Sequence, residues 1–179
     1  MSDARFGSGH KEHQSVTKTG ASTVARIHDV QTRTPVNHVD HRGSLFEMFN
    51  DDPVFWTSPV VYAYQFSIRQ GQVKGWARHE HKADRYTLIT GEVLIVLHDP
   101  RPHSPTVGVT QQVVLSGRAT RQLFIPREVW HLSVNLGPDE ACLVNFPTAV
   151  YDHANPDRYL LPWDTSELPV DIAAFLPKS

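Results

Sequence analysis

Gly75-Trp76-Ala77-Arg78-His79-Glu80-His81-Lys82-Ala83-Asp84 and, further along the chain, Pro126-Arg127-Glu128-Val129-Trp130-His131-Leu132-Ser133-Val134-Asn135 are the two stretches on which the fold turns. Side chains two apart on a strand share a face, so His79 and His81 are expected on one side of a sheet. A later strand that brings His131 beside them would gather three imidazoles and the Asp84 carboxylate around one interior hollow. Such a set suits either of two chemistries, holding a metal ion or moving a proton.

Outward from these stretches the chain reads as short β-rich runs separated by turns: Gly43 to Phe49, Val60 to Ser67, Arg85 to Thr90, Glu92 to His98, Val107 to Leu115, Arg121 to Ile125, Trp130 to Asn135 and Ala141 to Phe146. Glycines 71, 91, 108, 117 and 137 fall between or beside them. That spacing predicts an all-β sandwich or barrel. Thr90-Gly91-Glu92 reads as the tight turn of a central hairpin. The tail from Tyr151 is rich in Pro, Asp and aromatic residues, with Trp163 and Phe175 as anchors and a short helix expected around Val170 to Leu176. Residues 1–25 are mostly small and polar, which predicts a flexible arm ahead of a single domain over 26–179; His10 and His13 within it are read as solvated.

With 179 residues, 40% hydrophobic and 20% charged, the chain has the size and balance of one globular domain. A formal charge of −2 argues against nucleic acid or an anionic membrane as partner, which leaves small-molecule work. The start lacks the apolar run of a signal peptide, and no stretch approaches the roughly 20 apolar residues of a membrane span. One cysteine, Cys142, excludes an internal disulfide; among Ala141, Leu143 and Val144 it reads as an inert buried thiol. A cytoplasmic location is expected. His98, His103 and His153 flank Pro or Asp and are expected at the surface.

His79-x-His81 with Asp84 ahead of Gly91 resembles the first motif of the cupins, and Pro126-x-Glu128-x-x-His131-x-x-x-Asn135 resembles the second, with Glu128 where glycine is usual. The resemblance implies a double-stranded β-helix, or jelly-roll, barrel with a short C-terminal helix and loop segment. A longer match, over Val39 to Leu168, is similar to the dTDP-4-dehydrorhamnose 3,5-epimerase family, itself built on that barrel. Asp40-His41-Arg42-Gly43-Ser44-Leu45-Phe46-Glu47-Met48-Phe49-Asn50 resembles its opening segment, and Val73-Lys74-Gly75-Trp76 stands at its Arg-Gly-Leu-His segment. Gly91-Glu92-Val93, Asp99, Ser104 to Gly108 and Gln122 to Pro126 follow in family order.

The resemblance implies a histidine base paired with a carboxylate, a tyrosine acid on the opposite face, basic side chains for a nucleotide diphosphate, and a homodimer in which Arg42 reaches the neighbour's pocket. Residue by residue, it points to His79 as base, Tyr151 as acid, and Arg42, Glu47, Lys74 and Arg121 as substrate-binding groups. The chain departs at the centre. Without a gap the family's histidine falls on Ala77, and only Ala77-Arg78 read as an insertion restores it as His79. Asp84 replaces a family lysine, and the late segment that supplies the family's carboxylate is missing.

Three readings therefore stand side by side. One is an epimerase or isomerase working beside a carbonyl, with His79 as base, Tyr151 as acid, His131 orienting the base, Asp84 stabilising the imidazolium and no cofactor. Its substrate would be a nucleotide-linked 4-keto-6-deoxy sugar or a related keto metabolite. Another is a metal-dependent cupin in which His79, His81, His131 and Asp84 hold Fe, Mn, Ni, Cu or Zn. The last is a non-catalytic nucleotide-sugar-binding barrel.

Overall fold

The computed structural model describes residues 12–177; the first part of the expected arm, with His10, lies outside them. In chain order the strands are β1 Gln31–Arg33, β2 Asn37–Asp40, β3 Gly43–Phe46, β4 Tyr64–Ile68, β5 Val73–Arg78, β6 Asp84–Thr90, β7 Glu92–His98, β8 Thr110–Ser116, β9 Gln122–Ile125, β10 Trp130–Asn135, β11 Ala141–Asn145 and β12 Tyr159–Leu160. They form two five-stranded sheets, ordered β1-β9-β6-β11-β4 and β12-β5-β10-β7-β8, while β2 and β3 pair only with each other. Neighbours are antiparallel throughout. The sheets face each other as the jelly-roll barrel that the motif pair implies. The expected helix near the C-terminus is a single 3-10 turn, Ile172–Phe175, capped by the Asp171 side chain.

Alternation sets what each face does. On β7 the odd residues Val93, Ile95 and Leu97 point between the sheets and meet Val113, Leu115, Leu123, Ile125 and Leu143. The even residues Leu94 and Val96 lie on the outer face with Trp76, Leu132 and Val134, under Leu168 and Ile172 of the tail. Both faces of β7 are thus covered, which is why its sequence is apolar throughout instead of alternating. Burying each such side chain contributes about 1.5–3 kcal/mol, so the tail is part of the core and no loose appendage.

The interior changes character along its strands. On β4 the succession is Tyr64, Phe66, Ile68, and on β6 it is Asp84, Tyr86, Leu88, with Asn145 of β11 opposite both Tyr64 and Tyr86. One end of the barrel is therefore polar and the other is packed hydrocarbon. Two expectations are corrected here. Cys142 is half-buried, because it alternates to the outer side of β11. His98 is buried at the end of β7, bonded to the Thr110 hydroxyl at 3.1 Å, since the β7–β8 pairing covers it.

Candidate functional site

At the polar end lies a cavity of about 450 Å3 whose floor is formed by Ala77, His79, Tyr86, His131 and Ser133. Gly75 makes the floor possible. Its φ is +115°, and a Cβ there would come within 2.6 Å of the His131 carbonyl oxygen and 2.9 Å of Leu132 Cα. No larger residue lets β5 run so close to β10.

The strand expected to carry both His79 and His81 stops at Arg78. Residues 79–83 instead form a turn, held from outside by Asp157. The Asp157 carboxylate accepts the backbone N–H groups of Glu80, His81 and Lys82 at 2.8, 2.9 and 3.1 Å. Its carbonyl oxygen accepts the His79 Nδ1 proton. From the other side, the Glu128 N–H donates to the His79 carbonyl at 2.7 Å. Glu128 has φ of 65°, the left-handed conformation that explains why its motif position ordinarily holds glycine.

Because the turn breaks the strand, the two histidines separate. His79 is buried in the cavity, whereas His81 is exposed and lines a different surface depression with Ser58 and Arg127. The four-residue metal set expected from the sequence therefore loses His81. What remains is His79, Asp84 and His131, whose ligand atoms lie within 4.8 Å of one another.

Asp84 sits at the centre of this cluster and is 1% exposed. Its Oδ1 accepts from Asn145 Nδ2 at 2.8 Å, and Asn145 also donates to the Tyr64 hydroxyl at 2.9 Å. Its Oδ2 lies 3.3 Å from His79 Nε2 and 3.4 Å from His131 Nε2. Burial pushes the Asp84 carboxyl up, but the two histidines and the Asn145 bond outweigh it and hold it well below the usual carboxylate range. Burial dominates for His131 and lowers it to about 4 despite the nearby carboxylate, so this ring is neutral near pH 7. Its Nδ1 proton goes to the Val129 carbonyl at 3.1 Å.

The cavity is lined further by the buried Lys82, by the exposed Lys74 and Arg158, and by Tyr151 and His153, whose rings pack edge-to-face at 4.8 Å. Lys82 Nζ lies 5.6 Å from the Tyr151 ring centre. Of the residues singled out from sequence, His79, Asp84, His131, Lys74 and Tyr151 converge on this cavity or its buried wall. Arg42, Glu47 and Arg121 do not reach it within one chain. Arg42 is exposed at the β2–β3 turn and bonded to Asp40, Glu47 is exposed just past β3, and Arg121 is exposed at the end of β9 away from the residue opposite Asp84. His153 is exposed, as expected, and it also lines the cavity.

Sequence reasoning missed Lys82, Asn145, Asp157 and Arg158. Lys82 carried a signal, since it lies two residues before Asp84 within the same stretch. Asp157 carried none, because it acts on residues far away in the chain.

Comparisons with known proteins agree with this architecture. The family profile described as dTDP-4-dehydrorhamnose 3,5-epimerase matches residues 24–178. A probable low-salt glycan biosynthesis epimerase, Agl13, from Haloferax volcanii is 31% identical over 77% of this chain and 89% of its own length. The spore coat polysaccharide biosynthesis protein SpsL from Bacillus subtilis is 29% identical over 77% of this chain and 91% of its own. A crystal structure of a dTDP sugar isomerase from Desulfovibrio desulfuricans G20 superposes with a TM-score of 0.75 at 26% identity, covering 82% of this chain and 92% of the other. A 3'-monoepimerase from Streptomyces bikiniensis, solved with dTDP, has the same fold, with a TM-score of 0.74 at 21% identity over 86% and 79% of the two chains. A profile match over nearly the whole barrel, with a relative above 30% identity, places this chain in the dTDP-4-dehydrorhamnose 3,5-epimerase family.

Proposed function

We propose that this protein epimerises a nucleotide-linked 4-keto-6-deoxy sugar by removing a proton beside its carbonyl at His79 and returning one from Tyr151. The observation that carries the assignment is the tautomer of His79. Its Nδ1 proton is committed to the Asp157 carbonyl, so Nε2 alone is free to take a proton, and Asp84 stands 3.3 Å from it. A carboxylate in a water-poor cavity stabilises the imidazolium that forms. In this chain Asp84 thus supplies the negative charge that pairs with the base.

His131 stays neutral and is suited to orienting the pair rather than to proton donation at neutral pH. Tyr151 lies beside Lys82, whose Nζ stands 5.6 Å from the centre of its ring. Lys82 also offers a cation to the enolate oxygen. Lys74 and Arg158 at the rim suit the diphosphate of the nucleotide. The route asks for no cofactor, and the lone unpaired thiol fits a cytoplasmic setting.

The reading includes a homodimer. The β2–β3 hairpin stands outside both sheets with Val36, Val39 and Leu45 exposed, and Arg42 at its turn. A second copy covers those apolar residues and receives Arg42 at its own cavity.

Incubation with a dTDP-linked 4-keto-6-deoxy sugar in deuterated water tests the assignment. Deuterium is expected at a carbon beside the keto group, with inversion there. His79→Ala is expected to lower the exchange rate at least about 10²-fold. Tyr151→Phe is expected to keep the exchange and lose the inversion. Wild-type exchange by His79→Ala would remove the base from this scheme.

A further inference from the structure

Arg85 carries a positive charge into a place where no acid meets it. It follows Asp84 on β6, and because alternate side chains face opposite ways, Asp84 points into the barrel while Arg85 points out through the other side of the sheet. There it is covered by Trp56 and Ser58 and is 1% exposed. Its guanidinium packs 5.0 Å from the centre of the Trp56 ring and 6.0 Å from that of Phe124. Nη2 donates to the Ser58 hydroxyl at 2.5 Å and to the Ser58 carbonyl at 3.2 Å. Nε and Nη1 have no acceptor among the described residues, and neither has the indole Nε1 of Trp56. Burial pushes the guanidinium down, with no neighbouring negative charge to offset it.

An unpaired charge away from water is costly to keep, so the donors on this side chain call for an acceptor. A way in lies beside them. Ser58 and Phe124, the neighbours of the guanidinium, also line a depression of about 420 Å3 on the outer surface, together with Phe55, His81 and Arg127. The exposed His81 and Arg127 add positive potential there. The acid in the lining, Asp29, is drawn off to His28 at 3.0 Å and to Arg101 at 3.7 Å. One N–H at Nε and two at Nη1 suit a ligand with two acceptor oxygens. A single buried cation balances a single negative charge, and Phe55, Trp56 and Phe124 supply an apolar wall. A carboxylate on a small apolar body fits both features better than a doubly charged phosphate or sulfate, whose second charge would stay unpaired where water is scarce.

We propose that Arg85 binds the carboxylate of a small organic molecule entering through this depression, with the Ser58 side chain turning aside to admit it and the aromatic wall holding its apolar part. The site is separate from the catalytic cavity, since β6 lies between them with Asp84 on one side and Arg85 on the other. It stands independently of the function proposed above.

The test uses the full chain with benzoate as the probe, titrated by calorimetry in a buffer free of sulfate and phosphate. One benzoate per chain is expected. Arg85→Met, which keeps a long side chain and removes the charge, should weaken binding at least about tenfold. Arg85→Lys, which keeps the charge and gives up the fork, should weaken it severalfold. Saturating benzoate should raise the Tm of the wild type and leave that of Arg85→Met unmoved. Without benzoate, the Tm of Arg85→Met should equal or exceed that of the wild type, because a buried unpaired charge is gone; this separates loss of the anchor from loss of the fold. Saturating dTDP should leave the benzoate affinity unchanged. No uptake at millimolar benzoate, or wild-type affinity in both Arg85 variants, overturns the site. Displacement of benzoate by dTDP places the probe in the catalytic cavity and overturns it as well. Tighter binding of sulfate than of benzoate overturns the carboxylate as ligand. A wild-type dimer that Arg85→Met splits in sedimentation assigns the guanidinium to a neighbour's carboxylate and overturns the small molecule.

Discussion

Asp84 and Asp40 both lie beside groups able to carry positive charge. Asp84 is 3.3 and 3.4 Å from two imidazoles, and Asp40 is 2.6 Å from the Arg42 guanidinium. By distance alone the hairpin pair is the closer one. Yet the Asp84 side chain is 1% exposed and that of Asp40 is 47% exposed. In a buried cavity the charge of Asp84 governs the protonation of its neighbours, whereas water and salt screen the hairpin pair to near irrelevance. The two regions teach that what a carboxylate does here depends on what surrounds it more than on how near its partner lies.

The strongest way to break that comparison is Asp84→Asn. Removing the charge leaves the imidazolium that forms at His79 without a counterion, and solvent-deuterium exchange is expected to drop about 10²-fold or more. Asp157→Ala comes next, since it frees the N–H groups of residues 80–82 and loosens the turn that aims His79. An effect of about tenfold on kcat, with KM little changed, is expected from steady-state kinetics.

A smaller effect appears as pH dependence. Burial lowers His131 to about 4 in the folded state, while in the unfolded chain it titrates near 6.5. Below 6.5 the unfolded chain therefore binds more protons, and stability falls as pH drops from 6.5 towards 4. The loss should approach 2–3 kcal/mol across that window, by chemical unfolding at a series of pH values, and His131→Ala should flatten it. Asp84, held low when folded, adds its own loss only below the ordinary carboxylate range. At the bottom of the scale, Asp40→Ala should leave Tm unchanged. A clear drop would mean that the hairpin is buried against another copy, which would sharpen the dimer reading.

Much of the barrel was legible from sequence. Glu92–His98 and Trp130–Asn135 coincide with the runs read from residue type, and most of the others agree to within a few residues. Strand β5 was not among the runs read from residue type, because Gly75-Trp76-Ala77-Arg78 has no β-branched residue after Val73, and its place is set by close approach to β10. The strands β1, β2 and β12 are short and carry no alternation to read. In the site, His79, Asp84, His131, Lys74 and Tyr151 were found by motif and by position in the resemblance. His81 was included wrongly, because the two-residue rule holds only while the backbone remains a strand.

The amino-acid sequence alone determined that this chain forms antiparallel sheets with histidines and an aspartate lining a barrel, because apolar runs, turn residues and motif order are local properties. Only the tertiary structure decided which histidines meet, which nitrogen of each is free, and where Asp157, Asn145 and Lys82 enter. Those outcomes depend on hydrogen bonds between residues distant in the chain, such as the 2.8 Å bond from Glu80 to Asp157. They depend also on burial, which belongs to the folded barrel as a whole.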